Sequence, residues 1–214
     1  VNYSEGIYVG YRYFETFAKD KVLYPFGFGL GYSQFKREFI NASLENGTVS
    51  ITVKATNISD YCGKEVLQIY ASQPQGKLGK PAKVLCGFEK TKALKSGESQ
   101  EFTINIPLYA IASYDDSGKS GHKSCYVLEG GEYSFYLGGN VRDCEKVWSF
   151  TLPETKVVEE LKEASAPQHS FERMIAKEEN GKITYDFENV PTSTEDLRKV
   201  ILKNLPKDCG YTGN

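Results

Sequence analysis

The chain has 214 residues, 40% apolar and 13% aromatic, with 26 lysines and arginines against 28 aspartates and glutamates. That length holds one large domain or a small domain with extensions, and that apolar share suffices for a real core. A net charge of −2 argues against nucleic acid or an anionic membrane as the main partner, and no apolar run approaches the roughly 20 residues of a membrane span.

Residues 1–32 hold no complete structural unit. Val1–Phe17 is expected to supply a strand or short helix to something larger. From Val22 to Phe35, the rings Tyr24, Phe26, Phe28 and Tyr32 interleave with Gly27, Gly29 and Gly31 after Pro25. Glycine allows backbone geometry that a side chain forbids, and each ring brings a large apolar area to bury. The stretch reads either as a tight junction pressed between two packed bodies or as an aromatic-rich turn inside one domain. Beginning at Val1, without Met, the chain reads as an excised or processed piece, so a missing leader carries no information on location.

Residues 33–152 show short runs of period-two alternation between turn signals: Glu38–Leu44, Thr48–Thr56, Glu65–Ala71, Lys83–Glu89, Gln100–Ile106, Glu132–Leu137 and Lys146–Phe150. Val49, Ile51 and Val53 fall on one face, while Ser50, Thr52 and Lys54 take the other. Asn46-Gly47 is a two-residue hairpin signal joining the first pair. Seven short strands with glycine-marked turns predict a mainly β chain, an immunoglobulin/fibronectin type III-like β-sandwich with N-terminal and C-terminal extensions. Two polar connections, Ser72–Ala82 and Tyr114–Ser124, are long for a minimal sandwich, and mobility is the default for their composition.

After Pro153 the composition changes. Glu154–Ala164 is charged, with Val157, Val158 and Leu161 at helical spacing. Arg173–Glu178, Asn180-Gly181 and Lys182–Phe187 read as a second hairpin. Thr192-Ser193-Thr194-Glu195 reads as a capping box for a helix through Asn204 that Pro206 stops. Residues 153–214 are too thinly apolar for a core of their own and are expected to lie along a neighbour's surface.

Tyr3-Ser4-Glu5-Gly6-Ile7-Tyr8-Val9-Gly10-Tyr11-Arg12-Tyr13-Phe14-Glu15 and Leu23-Tyr24-Pro25-Phe26-Gly27-Phe28-Gly29-Leu30-Gly31-Tyr32 together resemble the middle of family 3 glycoside hydrolases of the β-glucosidase type. The resemblance continues through Gly63–Tyr70, Leu85–Lys90, Gly97–Gln100 and Gly131–Gly139, covering about 140 residues. It implies that residues 1–32 end an α/β sandwich domain, that 33–152 form a fibronectin type III-like domain, and that 153–214 form a connector with helices and a hairpin. Such an extension resembles the connector of a reversed domain order, in which the catalytic barrel comes last; a plain C-terminal extension is the alternative. The family often places a tryptophan near Cys125, and this chain departs there.

Retaining glycosidases use two carboxyl groups about 5–5.5 Å apart. The resemblance implies a barrel aspartate as nucleophile and, as acid/base, a glutamate earlier in the α/β domain. Neither motif occurs in these residues, so no catalytic residue is assigned. The implied partners are the α/β and (β/α)8 barrel domains of the same enzyme, with a β-glucoside or cello-oligosaccharide as substrate. The structural and interdomain candidates are Glu5, Arg12, Tyr24, Phe26, Phe28 and Tyr32, with Glu5 expected to pair with Arg12. Asp115-Asp116 reads as a solvated turn.

His122 and His169 have no serine or cysteine motif near them, and no glycine loop or Cys-x-x-Cys spacing calls for a cofactor or metal. Five widely spaced cysteines read as reduced thiols of a cytoplasmic protein. Against that, Asn41-Ala42-Ser43, Asn46-Gly47-Thr48 and Asn57-Ile58-Ser59 match the glycosylation acceptor pattern of a secreted one. Three functions compete: a non-catalytic scaffold of a β-glucosidase, a carbohydrate-binding sandwich module, and a self-sufficient hydrolase using Glu5 with another acid.

Overall fold

A computed structural model describes residues 4–162, 166–193 and Lys199. One antiparallel sheet contains β1 (Phe35–Glu45), β2 (Thr48–Asn57) and β5 (Ser99–Pro107) in the order β1-β2-β5. Facing it is a second sheet of β3 (Val66–Ser72), β4 (Val84–Lys90), β8 (Gly131–Gly138) and β9 (Cys144–Leu152), ordered β4-β3-β8-β9. These seven strands are the seven that the alternation predicts, and the chain is a mainly β sandwich.

The alternation works by sorting side chains. Along β2, Val49, Ile51, Val53 and Ala55 are fully buried between the sheets. The residues between them pair across to β5 on the outer face: Ser50 donates to Asn105 Oδ1 at 2.8 Å, and the Thr52 and Thr103 hydroxyls lie 3.0 Å apart. Opposite, Leu67, Ile69 and Ala71 of β3 join Tyr133, Phe135 and Leu137 of β8. Phe150 of β9 stacks on Tyr133 with ring centroids 5.0 Å apart. The β1–β2 turn has Asn46 at φ 50° and Gly47 at φ 76°, the left-handed pair that a two-residue hairpin needs.

Strand β3 is buried on both faces. Its outward residues Gln68 and Tyr70 lie beneath the N-terminal segment, whose helix α1 spans Tyr11–Phe17.

A third sheet stands at one end, with β6 (Ser113–Asp115), β7 (Cys125–Leu128) and β10 (Lys156–Glu160) in the order β10-β7-β6. Strand β10 corrects the helical reading of Glu154–Ala164. The open edge of β7 accepts Lys156–Glu160, a bulge falls between Val157 and Glu159, and Val158 packs against the core. Tertiary pairing overrides a weak helical stripe. The predicted second hairpin forms as β11 (Glu172–Glu179) and β12 (Lys182–Asn189), turning at Asn180 and Gly181 with φ 53° and 74°. Apart from Thr192, Ser193 and Lys199, the expected helix from Thr192 to Asn204 lies outside the described residues.

Replacing Ile51 by Ala opens a cavity between the sheets and is expected to lower stability by about 2–5 kcal/mol. Denaturant unfolding followed through Trp148, the chain's one tryptophan, reads this loss.

Candidate functional site

The candidate site is the surface made by residues 4–32 where they lie on the second sheet. Three hydrogen bonds to main-chain amides seat the segment. Tyr8 Oη accepts the Ala176 N–H at 3.0 Å, Tyr11 Oη that of Leu85 at 2.9 Å, and Thr16 Oγ1 that of Ala82 at 2.9 Å. Burial pushes the Tyr8 phenol up to about 12, against the lowering effect of its bond to Ala176, so it stays a neutral anchor. Phe17 ties the segment to the tail hairpin, 5.0 Å from Tyr8 and 5.5 Å from Tyr185 between ring centroids.

Arg142, in the loop between β8 and β9, clamps the next stretch. Its Nε donates to Glu15 Oε1 at 2.8 Å, its Nη2 to Lys19 O at 2.7 Å and its Nη1 to Val22 O at 3.4 Å. The Glu15 side chain is only 6% exposed. One guanidinium thus replaces water for a buried carboxylate and two carbonyls, which a planar fork of donors suits. The chain then turns down onto the sheet. Phe26 stacks on Tyr11 at 4.2 Å, and the Val141 N–H donates to Phe26 O at 3.0 Å. Gly27, at φ 86°, presses so closely that a Cβ there would stand 2.5 Å from Gln68 Oε1. Gln68 is itself held, donating to Gly139 O and accepting from Tyr70 Oη.

Beyond this anchored base the segment turns apolar groups outward. Leu23, Tyr24, Leu30 and Tyr32 are 91%, 70%, 92% and 91% exposed, and Phe26 and Phe28 are about half so. Tyr24 and Phe28 touch with centroids 5.1 Å apart. Of the four candidate rings, only Phe26 is seated on the fold. Tyr24 and Phe28 pair with each other, and Tyr32 stands exposed.

The expected Glu5–Arg12 pair does not form among the described residues. Glu5 is exposed at a cleft of about 580 Å³ whose walls include Asp116, Tyr126 and Arg173. Arg12 is half-buried and lines an adjoining cleft. The motif's working acid is Glu15, and its partner stands 127 residues away, beyond the reach of any local signal.

Both long connections are tethered. In the first, Lys80 Nζ donates to Glu129 Oε2 at 2.7 Å with side chains 2% and 5% exposed, and Glu129 also takes the Lys77 and Leu78 amides. Burial pushes the Lys80 ammonium down, and the Glu129 carboxylate opposes that push. In the second, the Asp115-Asp116 reading needs correction. Asp115 is fully buried and accepts the N–H groups of Ser117, Gly118, Lys119 and Ser120 at 2.7–3.2 Å. Burial raises its carboxyl, but the bonds from Ser120, Ser117 and Gly118 outweigh that and hold it at about 2. Asp116 is paired bidentately with Arg173 at 2.6 and 2.8 Å, and Arg173 Nε also reaches Glu188 at 2.9 Å. Asp-x-Ser-Gly is a turn signature that was there to be read.

His122 and His169 are exposed. Among the described residues, no group of three His, Cys, Asp or Glu side chains is placed to hold a metal. Asn57 of the third glycosylation pattern is fully buried, its amide donating to Tyr61 O and Leu94 O; Asn41 and Asn46 are exposed.

Residues 65–141 match the fibronectin type III-like domain family. A β-glucosidase of Ruminococcus albus is 47% identical over 212 residues, 99% of this chain and 22% of that protein. The crystal structure of a β-glucosidase from Paenibacillus barengoltzii superposes with a TM-score of 0.88 at 45% identity, over 99% of this chain and 24% of that one. A GH3 β-glucosidase of Bifidobacterium adolescentis does so with a TM-score of 0.61 at 35% identity, over 69% of this chain and 21% of that one. The chain therefore spans about a fifth to a quarter of the length of the relatives it matches.

Arg142→Met strands the Glu15 carboxylate and is expected to cost about 3 kcal/mol, while Glu15→Gln added to it recovers part of that loss in a double-mutant cycle. Asp115 predicts an acid effect. Its folded carboxyl sits at about 2 against an ordinary 3.8, so its stabilisation is full above 3.8 and drains away as pH falls toward 2. Unfolding curves between those limits should steepen this loss in the wild type relative to Asp115→Asn.

Proposed function

This chain belongs to the β-glucosidase type of family 3 glycoside hydrolases, and we propose that its residues serve there as non-catalytic scaffold. The sandwich and its anchored N-terminal segment hold an α/β domain and a (β/α)8 barrel in fixed relation. Carboxylates on those two bodies then keep the short spacing that retaining hydrolysis of terminal β-D-glucosyl residues needs. Geometry of that kind tolerates little slack, since about 1 Å of misplacement can cost about 100-fold in rate.

The observation that carries this reading is the contrast within residues 11–32. The base is fastened by Arg142, Tyr11, Thr16 and Gly27, while Leu23, Tyr24, Leu30 and Tyr32 stand in solvent. A rigid mount carrying uncovered apolar groups suits a surface that another packed body covers. Glu5 supports it from the other side: it is exposed, and Asp116, the other acid lining its cleft, is paired with Arg173.

Four measurements test the reading. The chain alone is expected to show no turnover of an aryl β-glucoside and no calorimetric binding of cello-oligosaccharides. In the full-length enzyme, Leu23→Ser with Leu30→Ser is expected to lower kcat/KM by about 100-fold. The same pair in the isolated chain should change its unfolding free energy by less than about 0.5 kcal/mol, because these side chains touch little there. Turnover by the isolated chain, or unchanged kinetics in the double variant, overturns the proposal.

A further inference from the structure

The described cysteines are free, and their surroundings differ sharply. Cys86 donates to Ile69 O at 3.3 Å and burial pushes its thiol up to about 12; Cys125 is buried and donates to Lys123 O at 3.4 Å. Cys62 is exposed on a loop. Cys144, at the start of β9, has an amine against it: Lys83 Nζ lies 3.1 Å from its Sγ.

Both groups are held in that position by a shared acceptor. The Cys144 thiol donates to Val141 O at 3.2 Å and Lys83 Nζ donates to the same oxygen at 3.3 Å. Lys83 is further seated over the Tyr136 ring, 4.5 Å from its centroid. Cys144 and Lys83 are both half-buried, so a small oxidant reaches them while bulk solvent does not dilute the encounter. Holding two reactive atoms at this distance makes their combination effectively unimolecular.

We propose that Lys83 and Cys144 are a modification site, in which hydrogen peroxide drives a thiol-reversible covalent bond between Nζ and Sγ. Peroxide transfers one oxygen to Sγ: an S–O bond forms, the O–O bond breaks, and water leaves. A cysteine sulfenic acid condenses with a nearby nucleophile. The Nζ lone pair attacks Sγ, the S–O bond breaks, and a second water leaves with a proton from the amine. Sulfur is oxidised by two electrons, peroxide is reduced to two waters, and the protein loses two hydrogens. The bond forms beside Val141, whose N–H holds Phe26 O, and so lies against the mount of the N-terminal segment.

The test uses the whole chain, reduced, then treated with peroxide in mildly alkaline buffer. Digestion at glutamates followed by mass spectrometry should give the Lys83 and Cys144 peptides as one species, lighter than their sum by two hydrogens. Dithiothreitol should separate them. Lys83→Arg keeps the cation but offers no free amine, so its Cys144 should stop at the oxygenated stage with loss of the linked species. Circular dichroism of that variant confirms that it folds. A wild-type Cys144 that stays a thiol, or that carries oxygen with Lys83 unlinked, overturns the proposal.

Discussion

The two-sided burial of β3 is the constraint on which the remaining architecture depends. A strand in an ordinary sandwich packs one face and wets the other, and β2 does so, with Val49, Ile51 and Val53 inward and hydroxyl pairs outward. In β3 the outward Tyr70 is as fully buried as the inward Ile69, and its phenol is pushed up by burial with Tyr11, Cys144 and Glu15 adding to the push. A buried hydroxyl needs a partner, and it finds one in Gln68, which finds another in Gly139 O. That chain of donors has room only because Gly27 lacks a Cβ. The second face of the sheet, its polar chain and the glycine-rich segment are therefore one packing problem with one solution.

Buried charge is handled with the same economy. The side chains of Glu15, Glu129 and Asp115 are almost wholly buried; among the described residues Glu15 is met by the Arg142 guanidinium alone, whereas Glu129 and Asp115 are each answered by several donors. Glu129 takes an ammonium and two amides, and Asp115 takes four amides. Satisfied in this way, a buried carboxylate orders the loop around it; left with one donor fewer, it would be a liability. Loops whose composition suggests mobility are tethered for this reason.

What could be read in advance was whatever local periodicity and turn chemistry record. Strand β2 follows from its alternation, and both hairpins follow from Asn-Gly, the pair that tolerates two left-handed residues in succession. The aromatic-glycine segment stood out through composition alone. The two-sided burial of β3 goes unread: Glu65–Ala71 reads as one more alternating strand, although Val66-Leu67-Gln68-Ile69-Tyr70-Ala71 is interrupted by a single amide, Gln68. Strand β10 was not legible: two valines beside a leucine satisfy a helical stripe, and only the open edge of β7 decides against it. The Arg142 clamp was invisible too, since nothing near Glu15 or Arg142 in the chain marks either as the other's partner, and Arg12 lay closer to Glu5 in sequence than in function.

A fastened base with free apolar tips has an energetic consequence for association. Docking a flexible apolar loop orders its backbone as it buries its side chains, and that ordering costs about 1–2 kcal/mol per residue. Here much of the ordering is complete before any partner arrives, because Tyr11, Thr16, Gly27 and Phe26 are already held by the sheet and Arg142 already fixes the carbonyls of Lys19 and Val22. The area of Leu23, Tyr24, Leu30 and Tyr32 then counts more fully toward binding. On the proposed scaffold role, the direction in which those groups point refers the body that covers them to the sandwich. On that same role, preorganisation of this kind turns an apolar patch from a sticky surface into a positioning one.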